Sequence, residues 1–82
     1  MVRVMILYFA QAREAAGTRS EYFSLDDRAS VMDALSKAFR SHPKLREIEK
    51  SIKVALNEEV TEDDARLQDG DRVALLPPIV GG

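Results

Sequence analysis

The residues best suited to chemistry end the sequence, which reads LLPPIVGG from Leu75 to Gly82. Glycine packs nothing and loses more backbone freedom on folding than any other residue, so the pair Gly81 and Gly82 favours a role outside a folded core. With no side chains beside it, a carboxylate on Gly82 can pass through a narrow channel and be approached from any side. The sequence therefore predicts that the chemistry takes place at this carboxylate.

The residues before the glycines favour presentation of that carboxylate to a partner. Two consecutive prolines fix the backbone angle, which ends a strand and reduces the entropy lost on docking. Six residues span roughly 20 Å when extended. We therefore predict a folded domain over residues 1–76 and an extended, flexible tail over residues 77–82. The residues expected to enter a partner's channel are Pro77, Pro78, Ile79, Val80, Gly81 and Gly82.

Other constellations of polar residues do not predict an active site. His42 is the single histidine and there is no cysteine, so zinc ligands are lacking, no metal site is expected, and His42 is expected on the surface at a helix end. Three acidic pairs fall in polar, turn-like stretches, where solvated carboxylates are common. These pairs are Asp26–Asp27, Glu58–Glu59 and Asp63–Asp64.

Composition and charge favour a protein partner. Twelve basic and fourteen acidic residues are interspersed over 82 positions and leave a formal charge of -2, so neither nucleic acid nor an anionic membrane is expected to bind. Hydrophobic residues make up 45% of the chain, which permits a small core held together by packing alone. The lack of cysteine fits a reducing compartment, and we expect a cytoplasmic location.

The predicted elements place one long helix between two hairpin-like halves. Ser30 is expected to cap that helix and Pro43 to end it, while Gly17 closes a shorter helix after the first strand. This order predicts an α+β fold, a ubiquitin-like β-grasp with a mixed sheet and the long helix across one face. A ferredoxin-like split β-α-β arrangement would need a second long helix, for which residues 61–72 are too polar. Strands are expected at residues 2–9, 20–25, 52–56, around Val60 and at 73–76.

One helix leaves the other face of the sheet uncovered, although both faces of the first strand are largely apolar. Residues expected to face the helix are Val4, Ile6, Tyr8, Val73 and Leu75. Exposed apolar patches mark protein contacts, so we predict that the opposite face, which includes Ala74, binds a different protein; a loop or a second copy is the alternative. The predicted interface residues are Met5, Leu7, Phe9, Val60 and Leu76.

Two stretches carry a family resemblance. YFAQAREAAGT near the start and GDRVALLPPIVGG at the end, in a chain of 82 residues, resemble the small, sulfur-carrying subunit of molybdopterin synthase, a ubiquitin-like sulfur carrier. The resemblance covers most of the chain and is least specific from Asp26 to Lys53. Val80 stands where the family more often has a small or polar residue.

The resemblance implies a reaction cycle. An E1-like activating enzyme uses ATP to adenylate the carboxylate of Gly82, and sulfur then replaces AMP to leave a C-terminal thiocarboxylate, or thioglycine. The tail donates this sulfur to the pyranopterin precursor in the active site of the large catalytic subunit, within a heterotetramer that builds the molybdenum cofactor. The chain itself would bind no cofactor, and the catalytic side chains would belong to the large subunit.

Three other functions remain open at this point. A related carrier serving thiazole formation, tRNA thiolation or cysteine synthesis would share the fold and the two glycines. A ubiquitin-like modifier would be attached to lysine side chains. A plain β-grasp interaction domain would tolerate the loss of Gly82.

Overall fold

The computed structural model describes residues 1–62 and 64–78. Within these residues, five strands form a mixed sheet, and two α-helices and a 3-10 segment accompany it. The elements are β1 (Val2–Tyr8), α1 (Ala10–Ala16), β2 (Ser20–Leu25), α2 (Val31–Ser41), the 3-10 segment (Pro43–Ser51), β3 (Lys53–Leu56), β4 (Glu59–Val60) and β5 (Arg72–Leu76).

The sheet has the strand order β2-β1-β5-β3-β4. Strands β1 and β5 are parallel neighbours at its centre, and the other neighbouring pairs are antiparallel. The first and last strands of the domain therefore lie side by side. As a result, the residues that follow β5 leave the sheet beside the end of β1.

Local signals explain where the helices begin and end. The backbone N–H of Ser30 donates to Oδ2 of Asp33 at 2.8 Å, in a capping box at the start of α2. Gly17 adopts the left-handed conformation with φ 74° and closes α1 by donating its N–H to the carbonyl of Arg13. Pro43 follows the end of α2, as predicted. Within the described residues, no helix is both long and apolar enough to cross a membrane.

The core lies between the sheet and α2, and the predicted division of the two faces is confirmed. Val4, Ile6, Val73 and Leu75 are fully buried, and Tyr8 is almost so. They pack with α2 residues spaced by three and four positions. The helix residues in this core are Val31, Ala34, Ala38 and Phe39.

The 3-10 segment was not predicted. Its residues are mostly charged, but Leu45 is fully buried and Ile48 packs against the core. This segment packs against α1 and α2, and β3 begins only after it, at Lys53.

Candidate functional site

The register of the sheet aligns two predicted interface residues. Leu7 lies opposite Ala74, Ala74 opposite Ala55, and Ala55 opposite Val60, so one row of side chains crosses four strands. Leu7 is half-buried and Val60 is 71% exposed. We call the side of the sheet that carries this row, away from α2, the outer face.

A shallow depression lies on the outer face where β1 and β5 end. It has a volume of about 240 Å³, and both Phe9 and Leu76 line it. Phe9 is 40% exposed although it is aromatic, and Leu76 is half-buried. The two residues therefore lie close together on this face. The complete lining is Leu7, Phe9, Ala55, Glu58, Arg72, Ala74 and Leu76.

The outer face becomes polar away from this depression. Met5, half-buried, lies opposite Tyr22 on β2 and Arg72 on β5. The guanidinium of Arg3 lies 4.0 Å from the ring centroid of Tyr22, a cation–π contact. An apolar centre with a polar rim is typical of protein interfaces.

The first residues of the predicted tail continue directly from this face. Pro77 is buried and Pro78 is exposed, so the chain leaves the domain between the two prolines. Ile79, Val80, Gly81 and Gly82 lie outside the described residues, as does Asp63. Their predicted roles, and the domain boundary after residue 76, stay predictions.

A hydrogen-bond network fixes the β3–β4 turn beside the depression. Asn57 donates from Nδ2 to Oδ1 of Asp71 at 2.9 Å, and its own Oδ1 accepts from the backbone N–H of Arg72 at 2.9 Å. The carbonyl of Asp71 accepts from the N–H of Met5 at 2.9 Å. The network joins this turn to β5 and β1 and so holds Glu58 at the rim.

His42 corrects the prediction of a surface residue. It follows the end of α2 as expected, but its side chain is only 20% exposed, and its Nε2 lies 2.5 Å from Oε2 of Glu21. Tyr8 donates its hydroxyl to the same oxygen at 2.5 Å, and the rings of Tyr8 and His42 are in edge contact. Burial, together with the bond to Glu21, raises the pKa of Tyr8 above its usual value. The sequence held one indication of this contact, because a buried tyrosine hydroxyl usually needs a hydrogen-bond partner.

Other parts of the described chain are weaker candidates for a functional site. No group of three or more metal-ligating side chains occurs among residues 1–62 and 64–78. A larger cleft of about 700 Å³ lies on the helix side, between α2 and the 3-10 segment. Its apolar floor includes Phe39 and Ile52, and charged residues such as Arg46 and Glu47 surround it.

Known proteins match the whole chain. The model of the ThiS family matches residues 6–82. The molybdopterin synthase sulfur carrier subunit of Chlamydomonas reinhardtii is 40% identical over 83 residues, covering 99% of this chain and 100% of that protein.

Solved structures also match over almost the whole chain. A putative molybdopterin converting factor subunit 1 from Pyrococcus furiosus has a TM-score of 0.88 and 30% identity, covering 96% of this chain and 100% of that one. SAMP1 from Haloferax volcanii has a TM-score of 0.89 and 31% identity, covering 98% of this chain and 99% of that one.

Two more distant structures show the fold alone. A Caldiarchaeum subterraneum ubiquitin has a TM-score of 0.65 and 15% identity, covering 99% of this chain and 98% of that one. A chain in the complex of subunits 1 and 2 of the Helicobacter pylori molybdopterin-converting factor has a TM-score of 0.71 and 23% identity, covering 99% of this chain and 100% of that one. The predicted ubiquitin-like β-grasp is confirmed. The chain therefore belongs to the ThiS family, as a relative of the molybdopterin synthase sulfur carrier subunits.

Proposed function

We propose that this chain is the sulfur carrier subunit of a molybdopterin synthase and that the carboxylate of Gly82 carries the sulfur. The family match, which extends to Gly82, supports the choice of this residue. Strand β5 and the buried Pro77 provide a firm base for the tail, and Gly81 adds no side chain beside the reacting group.

Loading requires two substitutions at that carboxylate. Its oxygen attacks the α-phosphorus of ATP on an E1-like activating enzyme, which releases pyrophosphate and leaves an acyl adenylate. A sulfide-level sulfur nucleophile then attacks the carbonyl carbon, and AMP departs with the bridging oxygen. The product is a thiocarboxylate, and no cofactor is bound to the carrier itself.

The thiocarboxylate supplies its own nucleophile. It is ionised near neutral pH, so its sulfur needs no neighbouring base on the carrier. The sulfur attacks a carbon of the pyranopterin precursor and displaces an oxygen substituent from it, which forms a thioester between the carrier and the precursor. Water then attacks the acyl carbon of Gly82, the acyl carbon–sulfur bond breaks, and the sulfur stays on the precursor while the carboxylate is restored. Two such transfers complete the dithiolene. Groups that orient the precursor and move protons are assigned to the large subunit.

The outer face is the proposed docking surface for the large subunit. Phe9 and Leu76 expose apolar area at the end of β5, next to the point where the tail leaves the domain. Docking there would direct Pro78, Ile79 and Val80 into the partner's active site. We assign the complex a heterotetrameric form and a cytoplasmic location, in keeping with the family resemblance. The continuity of the exposed face with the root of the tail is the observation that carries the proposal.

A second candidate function is protein modification. It is favoured by the similarity to SAMP1, a small archaeal modifier protein, over almost the whole chain. A modifier would use the same adenylate, but a lysine amine would displace AMP and form an amide at Gly82. The two functions thus differ in the nucleophile that attacks the activated carbonyl.

Reconstitution separates these functions. The chain, an activating enzyme from the same organism, ATP and a sulfur donor are incubated, and the product is added to the large subunit and the pyranopterin precursor. Formation of the dithiolene in proportion to loaded chain supports the carrier. Isopeptide-linked conjugates without dithiolene formation would support the modifier instead.

A further inference from the structure

The depression on the outer face has small residues at its centre and large ones around it. Ala74 and Ala55 lie opposite each other on β5 and β3 and form its floor. The side chains of Leu7, Phe9 and Leu76 form its walls. The small side chains thus leave a depression between the larger apolar ones.

The size of the depression favours a protein side chain over a small-molecule metabolite as its occupant. Its volume of about 240 Å³ is below the range from roughly 300 to 1,000 Å³ that small-molecule pockets occupy. Residues that dominate binding energy typically insert into apolar pockets near the middle of an interface. A single large apolar side chain from a partner protein therefore fits the size and the lining of this depression.

The carboxylate of Glu58 lies at the rim of the depression, and the backbone of Glu58 has a positive φ, which is unfavourable for this residue. Asn57 and Glu58 are the two turn residues between β3 and β4, with φ of 51° and 75°, and glycine is preferred in the second position of such turns. The Glu58 side chain is 86% exposed and lies 3.9 Å from Arg72, a weak surface pair. Its carboxylate is therefore available to a stronger partner.

We infer that the depression is a socket for one large apolar side chain of the large synthase subunit, and that a basic side chain of that subunit pairs with Glu58. The inference rests on the proposed function, because it takes the outer face as the docking surface. Glutamate instead of glycine at the turn then has a role, since the carboxylate steers a positively charged partner into register.

The socket is tested by filling it from its floor. Ala74→Val and Ala74→Leu add increasing volume on an outward-facing position of β5 without touching the core. We expect the dissociation constant for the large subunit, measured by calorimetry, to rise in that order, by at least about tenfold for leucine. Ser36→Leu is the control, because Ser36 is an exposed residue of α2 and so lies on the other side of the sheet from the depression.

The charge is tested at the turn. Glu58→Gln keeps the length and the backbone conformation, and we expect slower association and a weaker dependence of the association rate on salt. Glu58→Lys should slow association further. The melting temperatures of both variants should stay near that of the unchanged chain, because the carboxylate contributes little to folding.

The outcomes separate the inference from the proposed function. If Ala74→Val and Ala74→Leu fold and bind as tightly as the unchanged chain, the socket is wrong, even though the unchanged chain still loads sulfur and binds. If Ala74→Leu fails to fold, the valine variant decides in the same way. If neither Glu58 variant alters the association rate or its salt dependence, the basic partner is wrong. If the unchanged chain does not bind the large subunit at all, the proposed function fails and the inference falls with it.

Discussion

The hydroxyl of Tyr8 donates to Oε2 of Glu21 at 2.5 Å, and the same oxygen lies 2.5 Å from Nε2 of His42. One carboxylate oxygen therefore joins β1, β2 and the end of α2. Tyr8 is a buried residue of β1, and the next residue, Phe9, lines the depression on the outer face.

This contact predicts a loss of stability at alkaline pH. The pKa of Tyr8 is raised in the folded state by burial first and by Glu21 second, so the folded chain holds the hydroxyl proton more tightly than the unfolded chain. The stabilisation is fully present below the unfolded pKa of about 10 and decreases as pH rises above it, by about 1.4 kcal/mol per pH unit. Urea unfolding at a series of pH values around and above that pKa measures the slope.

Tyr8→Phe is the control for this slope. It removes the ionising group and one hydrogen bond, so it should lower the free energy of unfolding near neutral pH by about 1 kcal/mol. Above the tyrosine pKa its stability should fall less steeply than that of the unchanged chain. Parallel slopes in the two proteins would show that Tyr8 does not titrate differently in the folded state.

The assignment of the two sheet faces predicts opposite effects of truncation. Phe9→Ala and Leu76→Ala should each weaken binding to the large subunit by about 1 to 3 kcal/mol, with little effect on thermal stability. Ile6→Ala opens a cavity in the core and should cost about 2 to 5 kcal/mol of stability. Val73→Ala should act in the same direction. Binding is measured by calorimetry and stability by thermal melts for all four variants. If Phe9→Ala and Leu76→Ala lower stability and leave binding intact, the two faces of the sheet are assigned the wrong way round.

The alternation along β1 allowed the faces to be predicted. Val4, Ile6 and Tyr8 share the buried side because successive residues of a strand point to opposite faces, and the register with β5 extends the pattern. The capping residue Ser30 and the closing Gly17 were also visible, since caps are local signals.

Features formed between distant residues were not predictable in this way. The contact of Glu21 with His42 joins residues 21 positions apart, and no periodic pattern reports it. The charged 3-10 segment hides its buried Leu45 among polar neighbours. The positive φ of Glu58 was missed because glutamate is not a residue that signals such a conformation.

The narrow approach proposed for the tail predicts a strong effect of one methyl group. Gly81→Ala restricts the backbone and adds bulk beside the reacting carboxyl group. We expect the rate of adenylation or of sulfur transfer to fall at least about tenfold, equivalent to roughly 1.4 kcal/mol of barrier. Single-turnover kinetics with each partner measure the two steps separately, and unchanged rates in both would show that clearance is not the role of Gly81.

Intact mass spectrometry tests most directly the proposed role of Gly82 as the residue that carries the sulfur. After incubation with the activating enzyme, ATP and a sulfur donor, the unchanged chain should gain the mass that corresponds to one oxygen replaced by one sulfur. A chain without Gly82, or with one residue added after it, should remain folded by circular dichroism and gain no sulfur. Loading of either altered chain at the normal rate would contradict the account.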